Sequence, residues 1–274
     1  MCPNCRAFIT TKDKVCPYCD VKLGQRAVDR RSPADALGGL IPAARFTTAV
    51  ILMINFGLFL VTAVYSMRQG NASAFMGIDG RTLLLFGAKH GMLVLGEGDW
   101  WRLITAGFLH GGIFHIFMNS WVLFDLGTTV EEFYGTRRML VIYFCSTITG
   151  FLASCFWNPG ISVGASAALF GLIGAMIALG VRERSTLGAA IKRMYVRWAI
   201  YGMVFGLLIP MIDNAAHFGG LAGGFAVGYL AGTPRLVEDW RENVWRYAAY
   251  ACVVLTILAF GRMVLTFQTY SGQG

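Results

Sequence analysis

The sequence predicts an all-α polytopic membrane protein, seven hydrophobic helices preceded by a small cysteine-bearing module. Three observations predict it. The 274 residues are 56% hydrophobic and only 14% charged, with mean hydropathy +0.57, more apolar side chain than one soluble core of this length uses. Long apolar runs with at most one charged residue each recur at 46–67, 112–130, 139–157, 165–181, 196–212, 215–232 and 247–268. Most reach the ~20 helical residues that cross a ~30 Å hydrocarbon layer. Basic residues cluster between alternate runs: residues 1–45, 131–138, 182–197 and 233–246 hold 18 of the 23 Lys and Arg. The positive-inside rule therefore places those stretches, and the N-terminus, in the cytoplasm. The net charge of +8 follows from this asymmetry together with anionic lipid headgroups, which leaves no charge pattern for a nucleic-acid partner to explain.

The first element is a module over residues 1–24. Cys2-Pro-Asn-Cys5 and Cys16-Pro-Tyr-Cys19 are two Cys-x-x-Cys pairs ten residues apart, the arrangement that builds a four-thiolate tetrahedral zinc site. Iron is the competing metal. Two disulfides are the alternative, and a reducing cytoplasm opposes them. The module resembles a minimal zinc ribbon, and so short a site is expected to fold only with its structural zinc. A cytoplasmic protein is a possible partner for it. Residues 25–45, with Arg26, Arg30, Arg31, Ser32 and Pro33, read as a basic linker, and no cleavable signal peptide is expected ahead of the cysteines.

Residues 46–232 form the membrane core, and 233–274 a cytoplasmic loop, a seventh transmembrane helix and a short tail. The fifth span is the least regular, interrupted by Tyr201, Gly202 and Pro210. Between the first two spans lies a long segment, 68–111, in which His90 reads as a surface residue. Cys145, Cys155 and Cys252 stand singly in apolar runs and read as small hydrophobes. Small residues recur at spacing four, Ala167, Gly171 and Ala175 in the fourth span and Gly220, Gly224 and Gly228 in the sixth, as close helix packing requires.

Three spans also carry polar groups: His110, His115 and Asn119; Ser166; and His217. Such groups are costly in hydrocarbon and are expected to face a protein interior and act there. With the N-terminus inside, spans two, four and six all run inward from the outer face, and each begins just before one of these groups. His115 and Asn119, Ser166, and His217 would then lie at similar depth beneath the outer surface. A serine, a lone histidine and an imidazole–amide pair are the components of an acyl-transfer site. Packing accounts for the glycines but not for the histidine.

The series Trp101-Arg102, His110-Gly-Gly-Ile-Phe-His115-Ile-Phe-Met-Asn119, Glu131-x-x-x-Gly135-x-x-Arg138, Gly164-x-Ser166 and Ala216-His217-x-x-Gly220-x-x-x-Gly224 resembles, in order and spacing, the rhomboid intramembrane serine proteases over about residues 46–232. The resemblance implies a six-helix core, a Ser166–His217 catalytic dyad that uses no cofactor, and an oxyanion site including His115 and Asn119. It also implies a Trp101-Arg102 loop partly in the outer leaflet and transmembrane protein substrates met in the lipid bilayer. The chain would be an integral protein of a bacterial plasma (inner) membrane, with its site open to the outside. Ala167 stands where the family has glycine. Asp213, four residues before His217, is expected to cap the sixth span rather than act as a triad acid. Arg102 and Glu131 are expected to tie loops around the core, Glu131 as part of the turn to Gly135. The alternative is a rhomboid-like pseudoprotease that binds membrane helices without cutting, against which the presence of both Ser166 and His217 speaks. A transporter is weaker still, for want of an inverted repeat.

Overall fold

The computed structural model describes residues 15–21, 45–209, 211–234 and 240–271, and these are predominantly helical. The long helices are α1 (Phe46–Arg68), α5 (Ile113–Val122) running through one wide turn into α6 (Thr128–Trp157), α7 (Ser166–Arg182), α8 (Thr186–Leu208), α9 (Asn214–Ala231) and α10 (Trp240–Ser271). Among the described residues, three stretches are helices long and apolar enough to cross a membrane: 46–68, the 45 residues 113–157, and 240–268. The second is two legs, because Gly135 at φ 73 and ψ 159 breaks the helix. Short helices α2 (Gly80–Leu85), α3 (Gly91–Leu95) and α4 (Arg102–Thr105) give the segment between α1 and α5 a packed structure.

Helices α6, α7 and α9 form the centre, and α9 packs most extensively against the other two. The α7–α9 seam has almost no side chain in it. A Cβ added to Gly220 or Gly224 would overlap the carbonyl oxygens of Ala167 and Gly171. The two ladders of small residues are thus the two sides of one backbone-to-backbone contact.

Buried charged groups fasten the periphery. The Glu131 carboxylate accepts from the Thr47 and Thr48 amides at 2.9 and 3.1 Å and from the Thr136 hydroxyl at 3.0 Å. It therefore satisfies the free N–H groups at the start of α1, a longer reach than the local turn the sequence suggests. Arg138 grips Glu242 through two bonds of 2.9 and 2.7 Å, fixing the first turn of α10 to α6. Breaking such a buried pair by removing one member costs about 3–5 kcal/mol. Arg102, 3% exposed, donates to Asp99 at 2.8 Å and to the carbonyl oxygens of Leu84 and Ala88 at 2.7 and 3.2 Å.

One boundary and one burial differ from the sequence expectation. The 182–197 stretch is mostly helix: Ser185 caps α8, accepting from the Gly188 amide at 3.1 Å, and the helix runs on through Lys192, Arg193 and Arg197. Long basic side chains can lie along a helix and reach the interface, so the drop in hydropathy there marks no end of the helix. His90 is half-buried at the start of α3 rather than on the surface, its Nδ1 enclosed.

Candidate active site

Ser166 is the first residue of α7, where helix amides have no intrahelical partner and the dipole end is positive. The loop before it is held from two sides. Ser162 exchanges backbone bonds with Lys89, at 3.1 and 2.9 Å, and the Gly164 amide donates to the Ala106 carbonyl at 2.9 Å. His217 lies in the first turn of α9, whose start is capped by Asp213 through a 3.0 Å bond from the Ala216 amide.

Because α7 and α9 touch backbone to backbone, these two first turns are neighbours. His217 Nε2 lies 2.9 Å from Ser166 Oγ, across 51 residues of sequence. The imidazole is 6% exposed and stacks on Phe170, ring centroids 4.2 Å apart and planes 16° from parallel. The other Asp213 oxygen takes the Ser154 hydroxyl. Its bonding is that of a cap, as the sequence suggests.

His115 and Asn119 project from one face of α5, one turn apart. A Cβ on Gly164 would stand 2.6 Å from His115 Nε2 and 3.8 Å from Asn119 Nδ2. Both donors therefore look at the backbone two residues before Ser166. Gly164 also sits at φ +125, where a side chain is strained. The Gly111 amide donates to His115 Nδ1 at 3.3 Å. With Nδ1 accepting, the proton of a neutral ring resides on Nε2, which makes that nitrogen a donor toward the serine loop. Asn119 Nδ2 gives one hydrogen to the His115 carbonyl at 2.9 Å and has a second to offer.

The four residues named from sequence thus meet in one place. His110 is fully buried with its ring 5.1 Å from that of His115. Ser166 and His115 are half-buried, His217 and Asn119 buried. Two residues of the site go unread in the sequence. Phe170 carries a legible signal, since position i+4 from Ser166 lies on the same helix face. Lys89, in Gly87-Ala88-Lys89, carries none. Ala167 is 1% exposed, and its methyl faces Gly150, on which a Cβ would come within 2.8 Å of it. The extra methyl fills space that a glycine on α6 leaves open.

Of the cysteines expected to hold zinc, Cys2 and Cys5 lie outside the described residues. Cys16 and Cys19 share one tight turn, closed by Cys16 N–H to Val21 O and Asp20 N–H to Cys16 O, both 2.9 Å, with Asp20 at φ 53. Two thiols three residues apart on such a turn fit half of a tetrahedral thiolate site.

Residues 97–234 match the family model described as "Rhomboid domain". The chain is 40% identical over 154 residues to "Rhomboid protease GluP" of Bacillus subtilis (strain 168), covering 56% of this chain and 30% of that protein. It is 36% identical over 197 residues to "Rhomboid-like protease 3" of Toxoplasma gondii, covering 69% of this chain and 72% of that protein. It is also 31% identical over 158 residues to "Inactive RHOMBOID-like protein 8" of Arabidopsis thaliana, covering 57% and 45%. The chain spans less than two thirds of the length of several relatives, the Bacillus subtilis and Arabidopsis thaliana proteins among them.

Proposed function

The chain belongs to the rhomboid family, and from that premise we propose that it is an intramembrane serine endopeptidase that cuts transmembrane proteins in the outer part of the bilayer. The observation that carries the reading is the 2.9 Å approach of Ser166 Oγ and His217 Nε2. Oγ attacks the scissile carbonyl carbon as its proton passes to Nε2. The C–N bond then breaks, with that proton going to the leaving amine. Water completes the cycle by hydrolysing the acyl-enzyme through the same imidazole. Charge developing on the carbonyl oxygen is met by His115 Nε2–H, Asn119 Nδ2–H and the free amides at the start of α7. Phe170 fixes the plane of the imidazole.

The distribution of basic residues supports a cytoplasmic N-terminus and a site facing the outside, and the membrane we assign is the plasma (inner) membrane of a bacterium. The paired Cys-x-x-Cys motifs support a structural zinc held by Cys2, Cys5, Cys16 and Cys19, away from the chemistry, on a module available to a cytoplasmic protein. A second reading, a helix-binding protein without activity, is favoured by the relative named inactive. A fluorophosphonate probe separates them. In wild type it labels the protein, and labelling and cleavage of a reporter membrane helix both vanish in Ser166→Ala and His217→Ala while the melting temperature holds. A folded wild type that takes no label is a binder.

A further inference from the structure

Lys89 is fully buried. A buried ammonium is expensive unless its donors are used. Here Nζ donates to the carbonyl oxygens of Asn158 and Gly160 at 2.5 and 3.0 Å and lies 3.9 Å from the Asp213 carboxylate. Burial lowers the Lys89 pKa below its ordinary value, and the Asp213 carboxylate opposes that shift. The contacts join three segments distant in sequence. Residues 158–163 belong to the loop that ends on Ser166, and its backbone is paired to Lys89 through Ser162 and to Gly91 through Pro159 at 2.7 Å. Asp213 is the cap from which α9 delivers His217 one turn later. Lys89 comes from the segment between α1 and α5, where Arg102 holds the neighbouring Ala88 carbonyl.

Building on the protease reading, we infer that Lys89 and Asp213 are positioning residues, a buried ionic tie that sets the Ser166–His217 spacing by fastening the serine's loop to the histidine's cap. A reacting pair displaced by about 1 Å loses roughly 10²-fold in rate. Through Lys89 this tie bridges the two segments that precede the pair, alongside Ser154, whose hydroxyl reaches the Asn158 carbonyl at 3.4 Å as well as Asp213, so its loss loosens both segments at once.

The test uses the full chain in liposomes, with Lys89→Met, Asp213→Asn and their double variant. Asparagine keeps an oxygen for the Ala216 amide, so it removes the charge and leaves the cap. Each single variant should lower kcat on a reporter membrane helix by roughly 10²-fold with KM nearly unchanged, the signature of a lost transition-state interaction. Fluorophosphonate labelling should slow in parallel. The double variant should be no slower than the worse single one, since both break one link. Amide hydrogen exchange reads the tie without any activity: in each variant, protection should fall together in 158–166 and 213–217. Wild-type kcat in a folded Lys89→Met or Asp213→Asn protein overturns the inference, as does exchange that rises in one segment alone. If Lys89→Met does not fold, Asp213→Asn carries the same test. A wild type that takes no fluorophosphonate refutes the protease reading instead, and the exchange measurement still decides the tie.

Discussion

Asn119 spends one amide hydrogen on its own orientation, the 2.9 Å bond to the His115 carbonyl, and keeps the other for the region in front of Ser166. In the proposed mechanism that second N–H meets the oxyanion, so Asn119→Ala should lower kcat by roughly 10²-fold, the usual loss for one such donor, with KM and melting temperature little changed. His115→Ala should act in the same direction, with added loss of stability because its ring also accepts the Gly111 amide. Steady-state cleavage in liposomes, with melting temperatures alongside, checks both. Wild-type turnover in a stable Asn119→Ala protein would assign the amide to packing and leave the oxyanion to His115 and the helix-start amides. The identities of these residues are legible in the sequence because polar groups stand out in apolar runs. Lys89 is not, because a lysine beside a loop is ordinary until the fold buries it.

The α7–α9 seam is the element on which that geometry depends. On Gly224 a methyl would overlap the Gly171 carbonyl, whereas a methyl on Gly57 of α1 meets nothing within 4 Å. Gly224→Ala should therefore destabilise by about 1–3 kcal/mol, the usual cost of overpacking, and slow cleavage as the two first turns separate. Gly57→Ala should be neutral or stabilise by up to ~1 kcal/mol through helix propensity. Unfolding midpoints in mild detergent read the contrast, and equal effects at the two positions would mean that the seam is not tight. Small residues at spacing four make this contact legible in the sequence, and the runs at 46–67 and 165–181 fall within one residue of α1 and α7. The start of α8 is illegible there for a physical reason. Hydropathy registers the cost of burying Lys192, Arg193 and Arg197, while helix formation depends on backbone bonds that those residues make as well as any others. The carboxylate of Glu131 likewise serves α1, some 80 residues away, a link that no local pattern encodes.

At the scale of the whole molecule, the proposed orientation puts the proposed chemistry and the cysteine module on opposite faces. Eighteen of 23 basic residues lie in segments that alternate with the hydrophobic runs so as to share one side with the N-terminus, and the polar groups of α5, α7 and α9 begin from the other. With this orientation, a zinc held by the proposed module could be removed without touching the dyad. Purified protein should carry about one zinc per chain, because four thiolates complete one tetrahedral site. Cys16→Ser should lose it, and residues 1–24 should then become sensitive to protease, since so small a module folds on its metal. The same variant should cleave a reporter in detergent at the wild-type rate. Metal analysis of protein purified without chelators, limited proteolysis and the cleavage assay together read this out. Protein without zinc would remove the metal from the module. Loss of cleavage in Cys16→Ser, with the membrane helices still folded, would instead show that the module acts across the bilayer, and a path from the cytoplasmic face to α7 or α9 would then have to exist.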